Sequence, residues 1–300
     1  MNILVVGGSY FLGRVFVMSA AETDKVTLVN RGTYSMESFK VKEYRADRHD
    51  TDFWRGIKEN YDVIVDFCAY NQGDISQILE NIGGSIRQYI FISTVDVYRR
   101  GISGLKGEDT PFETRNIAGD AGSYIAGKVA LEQELIEQCS AKNINYTVLR
   151  PAILYGPYNY APRESAYIQM LVQNRCLPKI TDADGRFQFV YVKDAATAIR
   201  KCMLNETAYN QAYNLCQDEI STYSSFFDTL KQAADIEFTE LSMTMAEAEA
   251  KQLPLPFPLT KAETELYSNQ KSKTELGLNY IDFAEGMKRT YNAFKKVFEL

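Results

Sequence analysis

Two side chains in the stretch "SYIAGKVALEQEL", Tyr124 and Lys128, have types and a spacing suited to proton transfer. Four residues is about one helical turn, so both stand on one helix face. An ammonium held near a phenol lowers the phenol's pKa toward working pH, which makes it an acid/base for a substrate hydroxyl or carbonyl. Thr94, thirty residues upstream in "FISTVDVY", adds a hydroxyl that can fix the direction of the same oxygen. Spacing alone does not select this pair, because it recurs at Tyr267/Lys271 and Tyr291/Lys295 among twenty tyrosines. Order does select it. Thr94 closes a strand-like run, and Tyr124 opens the helix-like segment that follows.

Holding three such groups together needs a sheet whose strand ends share one edge. Apolar runs at 2–6, 25–29, 40–46, 62–69, 88–94, 145–151 and 187–192 alternate with helix-like segments near 11–22, 50–59, 73–83, 122–141 and 193–204. That rhythm predicts an α/β protein: a Rossmann-like, doubly wound parallel sheet with right-handed crossovers. Residues 1–155, with about 187–215, are expected to form a dinucleotide-binding unit. About 156–186 and 216–300, including the turn-rich "LPLPFPLT", are expected to form a smaller C-terminal lobe that binds substrate over the sheet's carboxyl edge.

The opening "ILVVGGSYFLGR" supplies the turn such a unit needs. Gly7 follows a buried strand and can turn tightly, and Gly13 lets the next helix pack closely. The amides of Ser9, Tyr10, Phe11 and Leu12 open that helix toward an anion. Tyr10 stands where close backbone approach favours glycine, so its side chain must point away from the phosphates or lie over them. The second strand ends in Asn30 and Arg31 rather than an acid. A guanidinium there suits a 2′-phosphate, which favours NADP over NAD. Asp47 and Arg48 close the third strand and Cys68 and Ala69 the fourth, completing the expected cofactor contacts together with Lys128, which can hold the nicotinamide ribose.

With 300 residues, 45% of them hydrophobic, the chain can bury a large core. A formal net charge of −6 counts against general nucleic-acid binding. The five cysteines lack metal-site spacing, so no metal is expected, and the single histidine, His49, reads as a loop residue. The first residues already form a strand pattern, with no charged leader or long apolar run, and the expectation is a cytoplasmic protein without a membrane segment.

The segments "GGSYFLG", "FISTVDVY", "YIAGK", "LRPAILYGP", "FVYVKDAATAI", "AYNL" and "KSKTELGL" fall in an order that resembles the extended short-chain dehydrogenase/reductases, in an atypical branch of the NAD(P)-dependent epimerases and dehydratases. The resemblance implies Thr94, Tyr124 and Lys128 as the catalytic set, and places the segment from Arg150 to Ile153, including Pro151, beside the nicotinamide. It implies an oxidoreductase, epimerase or dehydratase acting on a small, sugar-like substrate. Nucleotide-sugar members usually carry an arginine where this chain has Phe187, which argues against a nucleotide-diphosphate substrate. Asp96 keeps one of the two carboxylates found in sugar dehydratases, and is either a base or a turn cap. Position and polarity add Tyr70, Tyr158, Arg163, Arg186 and Tyr191 to Asp96 as pocket candidates. Two alternatives on the same fold are a non-catalytic NADP-binding regulator and a structured-RNA-binding protein like the chloroplast stem-loop binders. Helices near 73–83 and 122–141 are a candidate homodimer face, with Ile75, Ile78, Leu79 and Ile82 of the first belonging either to that face or to the core.

Overall fold

Seven parallel strands build the centre of the protein, seen in a computed structural model that describes residues 1–159 and 161–299. They are β1 (Asn2–Val6), β2 (Lys25–Asn30), β3 (Val41–Arg45), β4 (Tyr61–Asp66), β5 (Ile86–Ile92), β7 (Asn145–Pro151) and β11 (Gln211–Leu215). Their spatial order is β11-β7-β5-β4-β1-β2-β3, so the chain reverses direction between β1 and β4. Short elements intervene: β6 (Leu105–Lys106), β8 (Ile153–Tyr155), β9 (Cys176–Ile180) and β10 (Phe189–Tyr191), then β12 (Thr239–Met243) and β13 (Leu266–Tyr267). These pair in parallel as β8 with β10, β9 with β12, and β6 with β13.

Both faces of the large sheet are covered, which explains why its strands read as unbroken apolar runs. On β1, Ile3 and Val5 enter one core, and Leu4 and Val6 the other. Helices α1 (Phe11–Ala20) and α6 (Val192–Cys202) pack together, while α3 (Asp74–Leu79) lies between α2 (Thr51–Gly56) and α4 (Gly119–Lys142). The C-terminal part adds α5 (Glu164–Asn174), α7 (Tyr223–Ala234), α8 (Met245–Ala250), α9 (Gln270–Leu276) and α10 (Phe283–Phe298). Among the described residues no helix is long and apolar enough to cross a membrane.

Two expectations need correction. The run 187–192 contributes only the three-residue β10, and the seventh strand of the main sheet is β11, because Gln211–Leu215 pairs with β7 in register from Gln211 opposite Thr147 to Leu215 opposite Pro151. The apolar positions offered for a dimer face are inside this chain. Ile75 and Ile78 are fully buried and Leu79 nearly so, in the core beneath α4, and Ile82 packs against them.

Candidate functional site

Two cavities, of about 520 and 590 Å³, adjoin at the reversal between β1 and β4, and Tyr10, Phe67 and Tyr70 line both. Open α/β sheets bind ligands at such a reversal, because adjacent loops diverge there and leave a crevice.

The first cavity is built on the glycine turn. Gly7 and Gly8 take φ of 85° and 76°, a region that costs a glycine little. A β-carbon on Gly13 would stand 2.4 Å from the α-carbon of Gly8, so only glycine lets α1 close onto the turn. One on Gly7 would come within 3.1 Å of the Cys68 sulfur and fill the cradle. No side chain caps α1, and the first turn presents Phe11, Leu12 and Gly13 to the second cavity, while Gly7 and Ser9 line the first. The Tyr10 ring stacks on Tyr34 at the rim, with centroids 5.8 Å apart and planes at 24°.

Asn30 folds its amide into the turn after β2, accepting from the Gly32 N–H at 2.6 Å and donating to Glu43 at 2.7 Å. Arg31 is exposed and lines the same cavity with Asp47. Arg48 also lines it, but its guanidinium is taken up internally. It donates to the buried Asp66 carboxylate at 3.2 and 2.9 Å and to the Asp74 carbonyl at 2.7 Å. Arg48 therefore braces the wall. His49 sits on the exposed loop beside it, 2.9 Å from Asp74. Burial pushes the Cys68 thiol up to about 12, with the Asp66 carboxylate adding to the shift, so Cys68 is a packing group facing Gly7.

The second cavity brings together Thr94, Tyr124 and Lys128, with Pro151 and Ile153 alongside. Lys128 is 3% exposed, and its ammonium donates to the carbonyls of Ala69 at 2.9 Å and Ile92 at 3.0 Å. Ala69 thus acts through its carbonyl and lines neither cavity. The ammonium lies 5.9 Å from the centre of the Tyr124 ring and 5.0 Å from that of Tyr70. Burial pulls the Lys128 pKa down to about 8, with the Asp66 and Glu132 carboxylates opposing the shift. Tyr124 departs from expectation. Burial pushes its phenol up to about 12, Asp96 adds to the shift, and Thr94 and Arg163 oppose it. The ring is 40% exposed, but to a cavity walled by protein, so its charged form is poorly solvated. In this state the phenol is a proton donor.

Asp96 is a turn partner first. Its carboxylate accepts from the Thr94 hydroxyl at 3.1 Å, and its N–H donates back to that hydroxyl at 3.1 Å. Below them, Glu132, one turn beyond Lys128, accepts from Ser93 at 2.5 Å and from Arg150 at 3.0 and 2.6 Å. This buried ion pair ties the end of β5 to β7 and α4.

Of the substrate candidates, Tyr70, Asp96 and Arg163 line the second cavity. Three do not. Tyr158 lies outside it with its ring under the Arg14 guanidinium, 5.3 Å away. Tyr191 is 1% exposed, packed against Tyr155 in the core, because β10 is buried throughout and none of its residues lines the cavity. Arg186 is exposed, its N–H tied to Thr264 at 2.9 Å, while Phe187 and Gln188 form the wall. Arg100, Glu263, Glu265 and Tyr267 also line the cavity. No local spacing marks them, since loops far apart in the chain deliver them.

Residues 3–216 match the model of the NAD dependent epimerase/dehydratase family. The chain belongs to that family. It is 28% identical over 260 residues to chloroplast stem-loop binding protein of 41 kDa b from Arabidopsis thaliana, covering 80% of this chain and 65% of that protein, just under two thirds of its length. It is 25% identical over 242 residues to dTDP-glucose 4,6-dehydratase from Streptomyces niveus, covering 69% and 70%. Its fold matches that of UDP-glucose 4-epimerase from Thermotoga maritima with a TM-score of 0.80 at 20% identity over 99% of both chains. UDP-glucuronic acid 4-epimerase from Bacillus cereus, solved in complex with NAD, matches at 0.78 and 18%, over 99% of this family member and 100% of that chain.

Proposed function

We propose that this protein is an NADP-linked oxidoreductase or epimerase of a small hydroxylated, sugar-like substrate, with Tyr124 as its acid/base. One observation carries the reading: Thr94, Tyr124 and Lys128 converge in a cavity that shares walls with the cavity of the glycine turn. The cradle fits a dinucleotide, because Gly7 leaves its lining without a side chain, Gly13 lets α1 close onto the turn, and the first turn of α1 is uncapped. Gly7, Ser9 and the first turn of α1 would hold the phosphates, Arg31 a 2′-phosphate, and Pro151 and Ile153 the reacting ring. When bound, the cofactor supplies a hydride acceptor and donor.

The chain's own residues handle the proton. Tyr124, protonated at rest, gives its hydroxyl hydrogen to a substrate carbonyl oxygen, or takes one from a hydroxyl in the reverse direction. The buried Lys128 charge stabilises the phenolate formed in the first direction. Thr94 must turn its hydroxyl from Asp96 toward the substrate oxygen, which then frees the Asp96 carboxylate to accept a proton.

Fluorescence titration with NADPH and NADH, followed by turnover assays of Tyr124→Phe, tests this. We expect tighter binding of NADPH, and a variant that binds it equally well but turns over at least 100-fold more slowly on order-of-magnitude grounds. Failure to bind either dinucleotide, or full activity of Tyr124→Phe, overturns the proposal. Stem-loop binding, suggested by the name of the Arabidopsis protein, is opposed by the net charge of −6. A gel shift with a stem-loop RNA at physiological salt distinguishes it.

A further inference from the structure

Charge is unevenly satisfied around the second cavity. Its carboxylates are occupied. Glu263 accepts from the Leu259 N–H at 2.7 Å, Glu265 pairs with the buried Lys106 and accepts from Gly101 at 2.8 Å, and Asp96 is held by Thr94. The Lys128 ammonium is spent on two carbonyls. Arg163, immediately before α5, differs. Its Nε is shielded from water and has no hydrogen-bond partner among the described residues, and the adjoining Glu164 carboxylate, which feels its charge, is hydrogen-bonded to the Asn159 amide. Arg100 also leaves its Nε unpartnered, but its side chain is 39% exposed and pairs with Asp96 at 3.5 Å. A guanidinium nitrogen shielded from water without a partner is costly, and the fork that carries it matches a carboxylate or a phosphate.

The rest of the cavity wall limits what a ligand bearing either group can be. Phe187 is 1% exposed and stacks on Phe257 with centroids 4.9 Å apart, and Pro256 and Pro258 continue the apolar surface. Gln188, the polar neighbour, is committed to the Gln217 carbonyl at 3.1 Å and the Tyr267 N–H at 2.7 Å. Arg163 and Arg100 are the arginines of this lining, and Phe187, Pro256 and Pro258 give it an apolar stretch.

The geometry points to a substrate with a single compact anionic group, a sugar acid or sugar monophosphate without a nucleoside, whose anion sits against Arg163 while its reacting hydroxyl faces Tyr124. This rests on the assignment of the cavity as the substrate site, and it adds the substrate's charge. Arg163 is its specificity-determining residue, and Arg100 its second support.

Calorimetric titration of the full chain, with and without NADPH, using D-glucuronate, glucose 6-phosphate, glucose and UDP-glucose, tests it. At least one of the two anionic sugars should bind about tenfold or more tightly than glucose, and which one does separates carboxylate from phosphate. Arg163→Met should remove that advantage, by about 10- to 100-fold, and Arg163→Lys should restore part of it. Should Arg163→Met fail to fold, competition by inorganic phosphate against the bound sugar in the natural chain gives the same reading. Glucose binding as well as the anionic sugars, UDP-glucose binding most tightly, no sugar binding at all, or an unchanged preference in Arg163→Met overturns the inference. Loss of NADPH binding alone would overturn the dinucleotide reading instead, since the sugar titrations are also read without it.

Discussion

Replacing Lys128 with methionine separates the cost of the buried ammonium from its use. Burial lowers the pKa of this group from 10.5 to about 8. A shift of that size corresponds to roughly 3 kcal/mol against folding at pH 7, since each unit is worth about 1.4 kcal/mol. The sign follows from proton counting. Between the two pKa values the unfolded chain holds the proton more firmly than the folded one, so the penalty is full below about pH 8 and fades as pH rises toward 10.5. Lys128→Met removes the charge and leaves two carbonyls, those of Ala69 and Ile92, to find water or go without, at about 1 kcal/mol each. At pH 7 the variant should therefore be about 1 kcal/mol more stable than the natural chain. By pH 9.5 that advantage should have fallen by about 2 kcal/mol and changed sign. Paired urea unfolding at pH 7, 8 and 9.5 measures it, and the titrations of the many buried tyrosines cancel in the difference. A difference independent of pH, or one that grows in the variant's favour as pH rises, refutes the reasoning. The expected gain in stability at the expense of chemistry is the trade-off of a site that keeps a strained charge for use.

Gly13→Ala should lower stability by about 1–3 kcal/mol, because the added carbon meets the Gly8 backbone at 2.4 Å, and should weaken dinucleotide binding as α1 is pushed from the turn; thermal unfolding with and without NADPH reads both. Glu132→Gln leaves the Arg150 guanidinium buried without its counter-charge and should cost about 3–5 kcal/mol in chemical denaturation, whereas a loss below 1 kcal/mol would mean that the Tyr98 hydroxyl and the Glu108 carbonyl suffice to hold it.

The sheet was legible because its strands are buried on both faces, and continuous apolar runs such as Ile3–Val6 and Val63–Val65 have few other uses. The helix pair Tyr124/Lys128 and the strand-end Thr94 were legible for a related reason: each is fixed by local geometry plus its place in the element order. Three of the six substrate candidates were not. Tyr158, Arg186 and Tyr191 belong to loops and a short strand, where one residue of register decides between core, solvent and cavity, and no periodicity records that choice. The same holds for β11, whose five residues join the main sheet through pairing with β7 rather than through a distinctive pattern.

By itself the sequence determined the parallel sheet, the glycine turn that opens the first helix, and the choice of Thr94, Tyr124 and Lys128 as groups that meet at one cavity. Those depend on contacts within a few residues, or on burial that repeats along an element. Only the tertiary structure decided what state these groups are in. It raised the Tyr124 phenol and lowered the Lys128 ammonium, spent Arg48 on Asp66, and left the Arg163 Nε without a described hydrogen-bond partner. Solvation and charge pairing are sums over everything nearby in space, and most of those neighbours lie far away along the chain.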